Sequence, residues 1–334
     1  MDLVATVSQS DLLEAALTEV LACPDCQARL VLEAAGKSLR CGSCGSTTPL
    51  VEGIPVFASS GPGPEGLQAE EMAFRNQAAS EQLRNDTADL LSVAGKHHSV
   101  PLMGRYAHHF RSHFSAGDWL LDIGTGYSWH WKNAEPGPRV IGIDLSLGNL
   151  LLAQRLLADQ PRCVLLICAD ASRLPLANGS LAGAWSVQAF QLFPEPIFQQ
   201  VQRELDRVLR KDFMMELHHL HPALLYRFLC RLRGRTLHRR GRHGPFETNR
   251  LLLAEWLQRW ASFREGRLEA SSGYSELFFH PELGVRPRPY PSGLERFLVQ
   301  HAPGFSSLFA RQGYLRLKNR SCRNRSNALE AISR

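Results

Sequence analysis

Between residues 119 and 217 short apolar runs recur at wide intervals: Trp119-Leu120-Leu121-Asp122-Ile123, Arg139-Val140-Ile141-Gly142-Ile143-Asp144, Val164-Leu165-Leu166-Ile167-Cys168, a run after Ala182, and Phe213 to Leu217. Runs this short without polar alternation predict strands buried on both faces, and the gaps between them leave room for crossover helices. Ahead of them, Leu30-Val31-Leu32 and Lys37-Ser38-Leu39-Arg40 flank Ala35-Gly36, which predicts a hairpin. Residues 67–94 are rich in helix formers and lack proline, so they predict a connecting helix or two. Leu224, Leu225, Phe228, Leu229 and Leu232 recur at helical spacing, and Gly313 to Lys318 predicts a closing strand after a helix at Gly293 to Ala302. The order is that of an α/β domain, preceded by something small.

The 334 residues are 44% hydrophobic and 21% charged, an ordinary globular composition that excludes fibrous and wholly disordered classes. The chain opens MDLVATVSQSDLLEAAL, acidic rather than basic and apolar, and no apolar run reaches the roughly 20 residues of a membrane span. A cytoplasmic protein without a transmembrane segment is expected. The net charge of +6 hides a gradient. Residues 1–170 carry 12 Lys and Arg against 19 Asp and Glu, whereas residues 171–334 carry 26 against 13. The second half therefore faces an anion or solvent.

Eight cysteines in such a chain do not read as a disulfide framework. Four form two tight pairs, Cys23-Pro24-Asp25-Cys26 and Cys41-Gly42-Ser43-Cys44. A two-residue spacer lets one turn aim both sulfurs at one ion, and two such turns supply the tetrahedral thiolate shell that Zn2+ prefers. Free cysteines and an iron site are the other readings of this set. Four thiolates close the shell, so the expected role is structural. A segment of this size buries too little core to fold alone, and the metal would supply its folding free energy. The stretch Cys41 to Phe57, CGSCGSTTPLVEGIPVF, resembles the zinc-ribbon family that includes the activator subunit of tRNA and protein methyltransferases.

Trp119 to Ile123 runs into Gly124-Thr125-Gly126-Tyr127-Ser128. A buried strand entering a glycine turn begins a Rossmann-like unit, where glycine lets the backbone approach a ligand closely. A dinucleotide fingerprint needs a further glycine at position 129, and Trp129 is far too large. Asp144 ends the second strand, where a carboxylate reaches ribose hydroxyls, and Asp170 follows the third. The plainer reading of both acids is helix capping.

The ordered segments LLDIGTGYS, VIGIDLS, ADASRLPLANGSL and WSVQAFQLF resemble the class I S-adenosylmethionine-dependent methyltransferases. That resemblance implies a Rossmann-like seven-stranded methyltransferase sheet. It also implies cofactor contacts from Asp122, Gly124, Thr125 and Gly126, from Asp144 and Leu145, from Asp170 and Ala171, and from Gln188 and the lid residue Tyr106. Asp122 has two readings, direct contact or orientation of the glycine loop. Ala182, Leu192 and Lys211-Asp212 depart from residues that many members carry on the substrate side.

The expected organisation is an N-terminal helix and zinc ribbon (1–58), a linker and connecting helix (59–97), a methyltransferase domain (98–319) with a helical insertion at about 222–265, and a disordered tail (320–334). His218, His219 and His221 end the fifth strand and are candidate bases for proton removal from a methyl acceptor. His97, His98, His108, His109 and His113 lie in a segment expected as an amphipathic lid. Arg231, Arg233, Arg235, Arg239, Arg240 and Arg242 crowd the insertion beside its apolar stripe. That combination suits an acceptor pocket, an anionic membrane surface or phosphates. A small-molecule or lipid-like acceptor is the leading expectation. RNA bound through Arg231–Arg242 is the alternative, and a non-catalytic binding protein is a third.

Overall fold

The computed structural model describes residues 8–57 except 35, 67–83, 99–132, 137–158, 163–220, 224–232, 234, 240–243, 246–249, 251, 253–266, 268–276, 301 and 312–319. The chain divides into two units, one of residues 1–181 with 195–208, the other of 182–194 with 209–334. Residues 59–66 and 84–97 of the expected linker and connecting helix, the helix at 293–302 apart from His301, and the tail lie outside the described residues.

The first unit opens with helix α1 (Gln9–Glu19), started by a capping box in which Ser8 and Asp11 exchange hydrogen bonds. Four short strands follow, β1 (Leu30–Leu32), β2 (Ser38–Cys41), β3 (Thr47–Val51) and β4 (Ile54–Pro55), in one antiparallel sheet of that order. The expected hairpin is present, with Val31 opposite Arg40. Helices α2 (Leu67–Leu83) and α3 (Ser99–Arg111) lead to β5 (Trp119–Ile123), β6 (Arg139–Asp144) and β7 (Val164–Cys168). These three pair in parallel, Leu121 with Ile141 and Ile141 with Leu165. Every residue of β5 and β7 is buried, which explains their unbroken apolar sequence. Helix α4 (Leu147–Leu156) crosses from β6 to β7, and α5 (Glu195–Val208) completes the unit.

The ribbon end packs on this core. Val56 forms a parallel bridge with Cys168 of β7, and Leu21 an antiparallel bridge with Leu176. The Gln9 amide, in its better orientation, donates to the Val164 carbonyl (3.2 Å) and accepts from the Leu166 N–H (2.9 Å), so one side chain satisfies two backbone groups of β7. An unpaired strand edge is an aggregation liability, and here α1 and the segment after β4 cover it. Arg207 of α5 donates to Gln27 of the first cysteine turn (2.8 Å) and to the carbonyls of Leu174 (3.0 Å) and Leu176 (2.6 Å). Asp25 in the same turn pairs with Arg173.

The second unit contains β8 (Leu181–Val187), β9 (Leu209–Leu220), helix α6 (Leu224–Leu232), the hairpin β10 (Arg240–His243) with β11 (Phe246–Asn249), helix α7 (Leu253–Trp260), β12 (Leu268–Glu276) and β13 (Gln312–Asn319). Strand β13 lies antiparallel between β12 and β9, with Leu317 opposite Ala270 and Met215. Strand β9 is longer than Phe213 to Leu217 because β13 pairs with it as far as Leu220. The seven-stranded sheet has the order β12-β13-β9-β8-β5-β6-β7. It is mixed, parallel across β5–β7 and antiparallel at β13, as a Rossmann-like methyltransferase sheet requires.

Candidate active site and metal centre

Strands β1 to β3 bring the two cysteine turns together. The Cys23, Cys26, Cys41 and Cys44 sulfurs all lie within 4.8 Å of one another. Cys23 and Cys44 are 3.7 Å apart and Cys26 and Cys41 3.4 Å apart. A tetrahedron of sulfurs about 2.3 Å from a zinc ion has edges of about 3.8 Å, so this donor set fits Zn2+. Ser46 hydrogen bonds hold the Cys44 thiol down, to about 6, and N–H groups of Cys44 and Ser43 lower Cys41. Thiolates are the ligating form, so these donors prepare Cys41 and Cys44, whereas burial pushes the Cys23 thiol up and, against an Ala28 N–H, the neighbouring cysteines push Cys26 up to about 11. Among the described residues no second His, Cys, Asp and Glu group has metal-ligating geometry. His109 and His113 stack edge to face at 4.7 Å.

The glycine turn after β5 is built on Asp122. This carboxylate is fully buried, and its Oδ2 accepts from Thr125 Oγ1 (2.5 Å), Trp131 Nε1 (2.7 Å) and, with the ring in the donating tautomer, His130 Nε2 (2.8 Å). Trp129–Trp131 forms a short 3-10 turn that carries two of these partners down onto the acid. Gly124 and Gly126 have φ of 65° and 54°, conformations that favour glycine, and a Cβ on Gly126 would meet no atom within 4 Å. The turn thus exposes backbone beside open space, the cradle a nucleoside cofactor needs.

Asp144 stands at the end of β6. Its Oδ2 accepts from the Gly126 N–H (2.9 Å) and its Oδ1 from the Ser146 N–H (2.8 Å), so it ties the glycine turn to the start of α4. Burial pushes its carboxyl up, against those two N–H donors. Leu145 is half-buried beside it. Asn76 of α2 accepts from Ser146 Oγ (2.7 Å) and the Gly148 N–H (3.0 Å), a link that sequence reasoning missed because nothing local marks a helical asparagine. Asp170 caps its own turn through the Ser172 N–H (2.8 Å), with Ala171 half-buried next to it. Tyr106 is half-buried on α3, whose Gly104 faces the His130 carbonyl. Burial raises the Cys168 thiol to about 12, an inert group.

In the second unit Gln188 follows β8 with φ of 60°, strained for a residue with a side chain, and its N–H donates to the His218 carbonyl (2.7 Å). His218 and Glu216 share one face of β9, as their two-residue spacing requires, and both are buried. His218 Nε2 lies 2.9 Å from Glu216 Oε1, while Arg316 of β13 grips Oε2 through Nε (2.8 Å) and Nη2 (2.5 Å). Burial alone would raise Glu216, but His218 and Arg316 together hold it below the ordinary carboxylate value. The ionised acid only accepts, so it fixes the Nε2–H tautomer of His218 and leaves the ring's lone pair on Nδ1. Trp185 (4.6 Å) and Tyr314 (5.7 Å) flank the imidazole. His219 points to the other face, against Trp256 (5.0 Å). His221 lies outside the described residues. The acid in MMELHHL was the available signal for Glu216; Arg316 had none.

The seven-stranded sheet and the glycine turn after β5 together define a Rossmann-like fold. Residues 120–212 match the family model described as a methyltransferase domain. The chain therefore contains a methyltransferase domain, preceded by an N-terminal four-cysteine ribbon suited to structural zinc. No curated protein matches its sequence. Among solved structures it is similar to the geranyl diphosphate C-methyltransferase of Streptomyces coelicolor A3(2), at 14% identity and a TM-score of 0.48 over 77% of this chain and 100% of that one. It is also similar to a complex of the Haloferax volcanii Trm112 methyltransferase activator with a methyltransferase (15%, TM-score 0.46, 73% and 96%), and to the YcgJ protein of Bacillus subtilis (18%, TM-score 0.44, 67% and 99%). Among the described residues no helix is long and apolar enough to cross a membrane.

Proposed function

We propose that the protein transfers a methyl group to a small apolar or lipid-like acceptor. The observation that supports this is the aromatic cluster between the end of β8 and the insertion. Phe190 meets Phe193 (5.3 Å) and Trp260 (5.5 Å), and Trp260 meets Phe263 (5.2 Å). Trp256 and Trp260 are both buried. In this reading the buried aromatic cluster is the packing behind an acceptor site at the end of β8, and such apolar backing favours an apolar acceptor over a nucleobase read by hydrogen bonds. The segment after β8, Gln188-Ala189-Phe190-Gln191, also lacks the Asn/Asp-Pro-Pro-Tyr/Phe motif typical of base-amino methyltransferases.

S-adenosylmethionine would supply the activated methyl group when bound. Gly124, Thr125 and Gly126 would hold the methionyl and ribose part in this reading, with Tyr106 beside it, and Gln188 is a candidate contact on the family resemblance alone. Asp144 and Leu145 take the ribose, Asp170 and Ala171 the adenine, and Asp122 orients the glycine turn from beneath. His218 receives the acceptor's proton at Nδ1, and Glu216 holds the ring in the required tautomer. His219 serves as packing against Trp256.

Two measurements test the reading. S-adenosylhomocysteine should raise the melting temperature, and Asp144→Ala should remove most of that shift; no shift at millimolar ligand would sink the cofactor assignment. Labelled S-adenosylmethionine and fractionated cell extract should then put label into the organic-extractable or small-molecule fraction. Label in RNA, lost in an Arg239→Glu/Arg240→Glu variant, would replace the acceptor class with RNA.

A further inference from the structure

Helix α6 is mounted the wrong way round for a surface helix of a soluble protein. Cys230 is fully buried and anchors one side. At 100° per residue, Phe228 and Leu232 lie roughly opposite it, and they are 55% and 67% exposed. No other large apolar side chain among the described residues is as exposed as either. Leu225 and Leu229, both half-buried, continue the same stripe, while Arg231 is exposed at its border. An ordinary amphipathic helix turns such a stripe inward.

The surrounding sequence is equally one-sided. From Leu217 to Phe246 there is no Asp or Glu, and the stretch carries Arg227, Arg231, Arg233, Arg235, Arg239, Arg240 and Arg242. An outward apolar stripe within an acid-free arginine segment combines the two weak signals that together hold a protein on a membrane surface, buried apolar area and attraction to anionic headgroups. An RNA would engage the arginines but leave Leu225 and Leu232 in water. We infer that α6 docks the protein reversibly on an anionic phospholipid bilayer, with Phe228 and Leu232 entering the headgroup boundary and Arg231 facing the headgroups. The inference concerns where the protein sits and does not depend on the acceptor's identity.

The test is flotation of the full-length, zinc-loaded protein with phosphatidylglycerol–phosphatidylcholine vesicles and with phosphatidylcholine vesicles alone. Binding is expected to the anionic vesicles only and to weaken with salt. Phe228→Asp/Leu232→Asp should lower partitioning by about tenfold or more, and Arg231→Glu by about fivefold or more. Both variants change exposed side chains, and a retained melting shift with S-adenosylhomocysteine shows that they are folded. Absence of wild-type binding to the anionic vesicles overturns the inference, as does binding that the double variant leaves unchanged. So does salt-dependent binding of transfer RNA by a protein that ignores vesicles, which would assign the arginine segment to RNA.

Discussion

Replacing Asp122 by alanine removes the acceptor on which the glycine turn is hung. Three donors converge on one oxygen, Thr125 Oγ1, Trp131 Nε1 and His130 Nε2, and the acid and all three partner residues are buried. Thr125 has a second partner in Ser128 Oγ at 2.6 Å, so two donors are stranded. A stranded buried donor costs about 1–3 kcal/mol, which puts Asp122→Ala at about 2–6 kcal/mol before the relief of no longer burying a carboxylate. We take about 3 kcal/mol, a fall in melting temperature of about 6–12 °C. Asp122→Asn keeps an oxygen for the donors but loses the charge assistance, and should cost about 1–2 kcal/mol. The assay is thermal unfolding with and without S-adenosylhomocysteine, paired with calorimetric titration of the same ligand. An organising acid requires that apo stability and ligand affinity fall together and that His130→Ala reproduce part of both. If Asp122→Ala left the apo protein as stable as wild type while abolishing ligand binding, the acid would be a direct cofactor contact and the reasoning would fail.

Metal analysis should find about one zinc per chain, and Cys41→Ser should lose it. Because the ribbon end covers β7 through Val56 and Gln9, that variant should also aggregate more readily, as light scattering would report. Gly148→Ala would place a Cβ 2.8 Å from that of Ala79 on α2, and denaturant unfolding should show a loss of about 1–3 kcal/mol. Glu216 has a folded-state carboxyl below its ordinary value, so its contribution is present above about pH 4.5 and is lost as the pH falls below it. Glu216→Gln should flatten that part of the stability–pH curve, and an unchanged acid limb would remove the acid from the account.

Features carried by a few adjacent residues were legible in the sequence. Cysteine pairs with two-residue spacers have one geometry in which all four sulfurs meet, and they adopt it. The unbroken apolar runs of β5, β6 and β7 read as buried parallel strands, with Asp144 ending β6 and Asp170 just after β7. The insertion was recognisable as helical, yet nothing in the spacing of Leu225, Phe228 and Leu232 said that their stripe would face outward. Spacing defines a face; the anchoring of Cys230 decides which way it turns.

The sequence by itself therefore determined the four-cysteine cluster, the glycine turn, the strand-end acids and with them the class of domain, because each depends on chain geometry over a few residues. Only the tertiary structure decided which polar groups meet. Arg316 reaches Glu216 across one hundred residues because β13 pairs with β9 in a particular register. Asn76 reaches Ser146 across seventy, and Arg207 reaches Gln27 across one hundred and eighty. Such pairs follow from strand order and helix placement, which apolar periodicity leaves open, and a buried charge is tolerable only where that placement supplies its partner.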